Sequence, residues 1–150
     1  MKSLYELCVP REDVFVDDQV NDALDLADLK NGKIDADRFF EETYVTDGMK
    51  ELIDNAFQRF SGIGSTGLVR LRQAMGGGKT HNMIALGLLA QYPELRSNMP
   101  KDIIHGFNKK IKVVSYTGRE SDIQYGIWGE IAKQLGKLDN FKQYFDPIYA

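Results

Sequence analysis

Three consecutive glycines followed by lysine and threonine, Gly76-Gly77-Gly78-Lys79-Thr80, constrain this chain more than any other feature of its sequence. Glycine loses more backbone freedom on ordering than any other residue, so such a run belongs in a tight loop rather than inside a regular element. Upstream, Leu68-Val69-Arg70-Leu71-Arg72 reads as a short strand, although its two arginines make it less apolar than most central parallel strands. Downstream, residues 80–91 read as a helix. Met83, Ile84, Leu86, Gly87, Leu88, Leu89 and Ala90 leave it apolar on most sides, which predicts burial, and Tyr92-Pro93 supplies a stop. Strand, glycine loop and helix in that order form the context of a phosphate-binding loop.

The residue types fit that chemistry. A triphosphate needs several backbone N–H donors at close range, and Gly76, Gly77 and Gly78 let the backbone curl without a Cβ in the way. The helix that follows directs its positive end at the anion. Lys79 is expected to reach the β- and γ-phosphates and to be the catalytic residue, and the Thr80 hydroxyl to hold Mg²⁺. ATP and Mg²⁺ are therefore the expected cofactors. The usual pattern opens on a glycine four residues before the Gly-Lys pair, where this chain has Gln73. His81, early in the helix, is a further candidate contact. GTP is disfavoured, since Asn108-Lys109-Lys110-Ile111 lacks the Asp of a guanine-reading Asn-Lys-x-Asp motif.

The rest of the chain extends the pattern. Ile111 to Tyr116 is rich in β-branched residues and reads as a second strand, and residues 123–135 read as a helix ending at Gly136. Strand, helix, strand, helix predicts an α/β fold, a partial P-loop NTPase with a parallel sheet and flanking helices. Arg119, Glu120 and Asp122 follow the second strand, where the carboxyl end of a parallel strand approaches a ligand. Ahead of the loop, Met49, Leu52, Ile53, Ala56, Phe57 and Phe60 form one apolar stripe of a helix capped by Thr46 or Asp47 and closed by Ser61-Gly62. A shorter helix is expected from Asp35 through Phe39 and Phe40, another over residues 19–30, and an extended arm over residues 1–18.

Charge divides the chain. Residues 1–50 carry a formal net of −7 and residues 51–150 a net of +4. This predicts an acidic, mostly helical lead-in over residues 1–45 and the first part of an ATPase domain over residues 46–150. Asp17, Asp18, Asp22, Asp25 and Asp28 are expected on a solvated face or docked on a basic surface elsewhere in a larger assembly. Apolar residues at 43% and charged residues at 27% fit a globular chain. The lone Cys8 precludes an internal disulfide, and no apolar run approaches the roughly 18 residues of a membrane span. No signal peptide is evident, so a cytoplasmic protein with no membrane partner is expected. Hydrolysis would need an apolar strand ending in carboxylates, and Val113-Val114-Ser115-Tyr116 carries none. The chain is thus expected to be the front part of a larger ATPase, with a non-hydrolysing nucleotide sensor or scaffold as the alternative.

Three blocks point further. Phe39-Phe40 through Thr43-Tyr44-Val45-Thr46, then Gly76-Gly77-Gly78-Lys79-Thr80-His81, then Tyr125-Gly126-Ile127-Trp128-Gly129-Glu130-Ile131-Ala132 through Gln134-Leu135-Gly136 resemble large bacterial and archaeal P-loop ATPases of the AAA+ class. Those are often encoded beside DNA methyltransferases in phage-defence or restriction-type loci. The resemblance covers most of residues 35–145. It implies an ATPase whose partners are the remainder of a longer chain, DNA, a DNA methyltransferase or other defence proteins, and further copies of itself. It also implies that Tyr44 and Val45, with Thr46, line the base of the nucleotide. Trp128 and Glu130 match the third block, where the ordinary expectation is a core tryptophan and a solvated glutamate.

Overall fold

The computed structural model describes residues 3, 24–64, 67–72, 74, 76–118 and 124–145. The expectations placed on the arm over residues 1–18, on Cys8, on Asp17, Asp18 and Asp22, on Gln73, and on Arg119, Glu120 and Asp122 lie outside the described residues.

Side-chain caps explain where the early helices begin. Asp25 accepts the N–H of Ala27 and opens α1 (Leu26–Lys30), while the Asp28 carboxylate returns to the Asp25 N–H to complete a capping box. Asp35 accepts the Arg38 N–H and opens α2 (Ala36–Glu42). Thr46 accepts the Met49 N–H and opens α3 (Asp47–Phe60), which closes at Ser61. Helix α4 (Lys79–Gln91) follows the glycine loop and ends at Tyr92, ahead of a 3-10 helix over Pro93–Asn98. A single turn, α5 (Lys101–Ile104), ends at His105, which adopts left-handed backbone at φ 53°. Helices α6 (Gly126–Gln134) and α7 (Leu138–Lys142) complete the described chain.

The core lies where α4 meets the elements around it. Ile84, Ala85, Leu88 and Leu89 of α4 pack with Leu29, Phe39, Phe40, Met49, Ile53, Phe57, Leu95, Met99 and Ile104. The stripe read from α3 is largely the buried one: Met49, Leu52, Ile53 and Phe57 are buried, with Phe60 partly buried beside them. The Leu29 side chain of α1 packs directly on Gly87 of α4, where a Cβ would stand 2.5 Å from Leu29 Cδ2.

The expected parallel sheet is not there: the described residues contain no strand, and the α/β assignment is overturned. Two local reasons are visible. Residues 67–72 run without regular structure; Leu68 is 83% exposed and Val69 45%, and Arg70 and Arg72 point to solvent. A strand is stabilised by a neighbour that takes up its N–H and C=O groups, and none lies alongside this one among the described residues. Residues 111–116 have found other partners. The Ile111 N–H donates to the Ala90 carbonyl at the end of α4. The Gln134 side-chain amide occupies both backbone groups of Ser115, accepting its N–H at 3.2 Å and donating to its carbonyl at 2.8 Å. One side chain thus stands where a neighbouring strand would have been.

A buried cation holds this region. Arg96 is 6% exposed, and its guanidinium donates to the carbonyls of Leu89, Ala90, Phe107 and Lys109 at 2.8–3.2 Å. Two of those carbonyls belong to the last turn of α4, which has no intrahelical donor for them. The same group lies over the rings of Phe57 and Phe107, 5.1 and 5.3 Å from their centroids. Burial pushes its pKa down from a very high starting value, and the group remains a cation.

Candidate phosphate-binding loop

Helix α4 begins directly from the glycine run. Gly76 and Gly78 both adopt left-handed backbone, at φ 80° and 72°, a region that residues bearing a Cβ rarely enter. Gly78 is the N-cap of α4, with no side-chain cap over the first turn. A left-handed residue followed by right-handed helical residues turns successive N–H groups to one side and shapes an anion-binding concavity. The loop is closed on itself by the Gly77 N–H, which donates to the Ala74 carbonyl at 3.1 Å. Residues 76–78 are exposed, and Lys79 and Thr80 are half-buried. The Lys79 ammonium reaches back across the loop and donates to the Ala74 carbonyl at 2.9 Å.

Asn82 sits beneath this loop. Its amide nitrogen lies 3.9 Å from where a Gly78 Cβ would stand, and its Oδ1 is buried without a hydrogen-bond partner. An amide can present N–H in place of oxygen by a half-turn, so Asn82 is a donor in reserve next to the concavity. Sequence reasoning passed over it. Its position four residues after Gly78, on the same helix face, was the available signal.

The structure brings the segment before α3 onto the start of α4. Thr43 Oγ1 lies 2.9 Å from His81 Nε2, and the His81 ring stacks on Phe39 with centroids 4.5 Å apart. Burial holds the His81 pKa below its ordinary value, favouring the neutral ring. Thr43 donates its single hydroxyl hydrogen to the Phe39 carbonyl at 2.5 Å. It must therefore accept from His81 Nε2–H, which leaves Nδ1 as the bare acceptor. Val45 is partly buried against the core, whereas Tyr44 is 86% exposed. The 44–45 pair is thus divided between core and solvent.

The third block is arranged inversely to the ordinary expectation. Trp128 is 70% exposed and Glu130 is 7% exposed. The Glu130 carboxylate accepts from Lys30 Nζ at 2.5 Å and from Gln134 Nε2 at 2.9 Å. Those bonds and the Lys30 charge hold it below the usual carboxylate range, against the opposing effect of burial. Ser115 Oγ adds a bond to the Leu26 carbonyl. Glu130 and Gln134, one helical turn apart, thereby join α6 to α1 and to residues 111–116.

Residues 5–124 match the family described as the DUF499 N-terminal domain. The chain belongs to that family. No curated protein and no solved structure matched it. The DUF499 match takes in the glycine loop, all of α4 and the Thr43–Thr46 segment, and stops short of the Trp-Gly-Glu block. Among the described residues no helix is long and apolar enough to cross a membrane, and no cluster of three or more His, Cys, Asp or Glu stands ready to hold a metal ion.

Proposed function

We propose that this DUF499 chain binds Mg-ATP on the 76–80 loop and serves as the nucleotide-binding part of an ATPase acting in DNA-linked defence. One observation carries the reading: Gly76-Gly77-Gly78 is exposed, with two left-handed glycines, at the head of a 13-residue helix that opens on Lys79-Thr80 and is buried along its second half. The residues suit a polyphosphate. The unpaired N–H groups of the first turn of a helix suit an anion, and Lys79, which reaches across the loop to the Ala74 carbonyl, brings a positive charge to the same place. Thr80 is the hydroxyl available to Mg²⁺, and Asn82 is a reserve donor. Bound Mg-ATP would supply a transferable γ-phosphoryl group. The chain's own part is to hold the phosphates and their charge; DNA, a methyltransferase and further copies of the chain are the partners proposed from the resemblance.

Two substitutions test the site. Lys79→Ala should weaken a fluorescent ATP analogue by tenfold or more, since hydrogen bonds to charged groups contribute about 1.5–3 kcal/mol. Thr80→Ala should weaken it chiefly when Mg²⁺ is present. Equal affinity of both variants and the parent, with and without Mg²⁺, would remove the loop from consideration.

A further inference from the structure

A cavity of about 190 Å³ opens beside the first turn of α4, and His81 belongs to its wall. Its other walls come from α2, the turn that precedes it, and Leu24 ahead of α1. Leu24, Ile34 and Phe39 supply the apolar surface, and Asp35 stands at the exposed mouth. Among the described residues that line it, Lys33 and Arg38 stand against Asp35 and Glu42, with Arg38 Nε paired to Glu42 at 2.8 Å. The volume is below the roughly 300–1,000 Å³ of sites that enclose a whole ligand, so it suits one end of a larger molecule.

We propose that this cavity receives the adenine ring of the nucleotide whose phosphates lie on the 76–80 loop, with Phe39 and His81 as its aromatic wall and Asp35 as acceptor for the exocyclic amino group. The inference rests on the phosphate-loop reading. His81 links the two places, being two residues beyond Lys79 on the same helix and also lining the cavity. A flat, neutral, amphipathic ring matches an apolar wall with a few polar groups at its edge. Asp35 has the required capacity: Oδ1 accepts the Arg38 N–H at 3.1 Å, and a carboxylate has a second oxygen to offer. His81, tethered through Nε2 to Thr43 and stacked on Phe39, is a fixed wall rather than a swinging side chain. This assignment differs from the one the resemblance implies, because the cavity lies on the α2 side of His81 and neither Tyr44 nor Val45 lines it.

Asp35→Asn isolates the claim. Asparagine caps a helix as well as aspartate does, so α2 keeps its start. Its oxygen is taken by the cap, and the group left for the cavity is an NH₂, which repels the amino group of adenine. Mg-ATP and Mg-tripolyphosphate are titrated calorimetrically into the parent chain and into Asp35→Asn. The parent should bind Mg-ATP at least tenfold more tightly than Mg-tripolyphosphate. The substitution should weaken Mg-ATP about five- to tenfold and leave tripolyphosphate unchanged, which also shows that the variant is folded. Equal affinity of the parent for the two ligands, or an Asp35→Asn chain that holds Mg-ATP as tightly as the parent, overturns the base cavity and leaves the phosphate loop standing. Binding of neither ligand by the parent overturns the loop reading and this inference with it.

Discussion

Arg96 shows how a single residue can decide the arrangement around α4. A buried cation without a carboxylate partner is ordinarily unfavourable, yet here four carbonyls and two aromatic faces surround it. Lysine has no planar fork with which to reach four carbonyls, so Arg96→Lys should destabilise the chain by about 2–4 kcal/mol, read as a lower midpoint in urea denaturation. A midpoint equal to the parent's would mean that the carbonyls find other donors. Trp128 offers a test that needs no substitution. It is the only tryptophan in the chain and is largely exposed. Its fluorescence should be red-shifted and readily quenched by acrylamide, whereas a blue-shifted, protected signal would place it in a core. Glu130 bears on pH. Its carboxyl titrates lower in the folded chain than in the unfolded one, so the unfolded state takes up protons first as pH falls. The stabilisation is therefore present above the ordinary glutamate value of roughly 4.3 and is lost as the pH drops through and below it. Thermal melts from pH 6 to pH 3 should fall less steeply for Glu130→Gln than for the parent, from a lower starting point at pH 6. Parallel curves would show that the Lys30–Glu130 contact contributes nothing.

At the scale of elements, helices were legible and strands were not. Caps and apolar stripes are local signals: Asp35 and Thr46 marked helix starts that the structure keeps, Tyr92-Pro93 marked the end of α4, and Gly136, at φ 69°, closes α6. A strand is a relation between distant segments, and β-branched composition cannot show whether a neighbour is present. Residues 111–116 have the composition, but the Ile111 N–H bonds to Ala90 and both backbone groups of Ser115 bond to Gln134. The placement of α6 was hidden for a related reason. Its sequence alone does not reveal that Glu130 meets Lys30 a hundred residues away, so the glutamate read as solvated and the tryptophan as core. The packing of α6 depends on Gly129, where an added Cβ would stand 2.1 Å from Tyr125 Cβ. That contact is with the stem of the side chain, so the backbone must shift to relieve it. Gly129→Ala should destabilise the chain by about 1–3 kcal/mol although alanine is the better helix former, and a rise in the thermal midpoint would contradict the placement of Tyr125 over α6.

Across the whole molecule, α4 joins the core, the buried arginine and the glycine loop. Its buried middle carries the core, its last turn is held by Arg96, and its first turn carries the glycine loop and His81. The candidate loop could be read from sequence because glycine, lysine and threonine at fixed spacing state a local chemistry. The cavity beside it could not, since Leu24, Asp35 and His81 come together only through packing. The most direct test of the central claim is a calorimetric titration of the 150-residue chain with Mg-ATP, alongside Lys79→Ala. The parent should bind saturably, and the variant should lose at least tenfold in affinity. Indistinguishable isotherms from the two chains would contradict that claim.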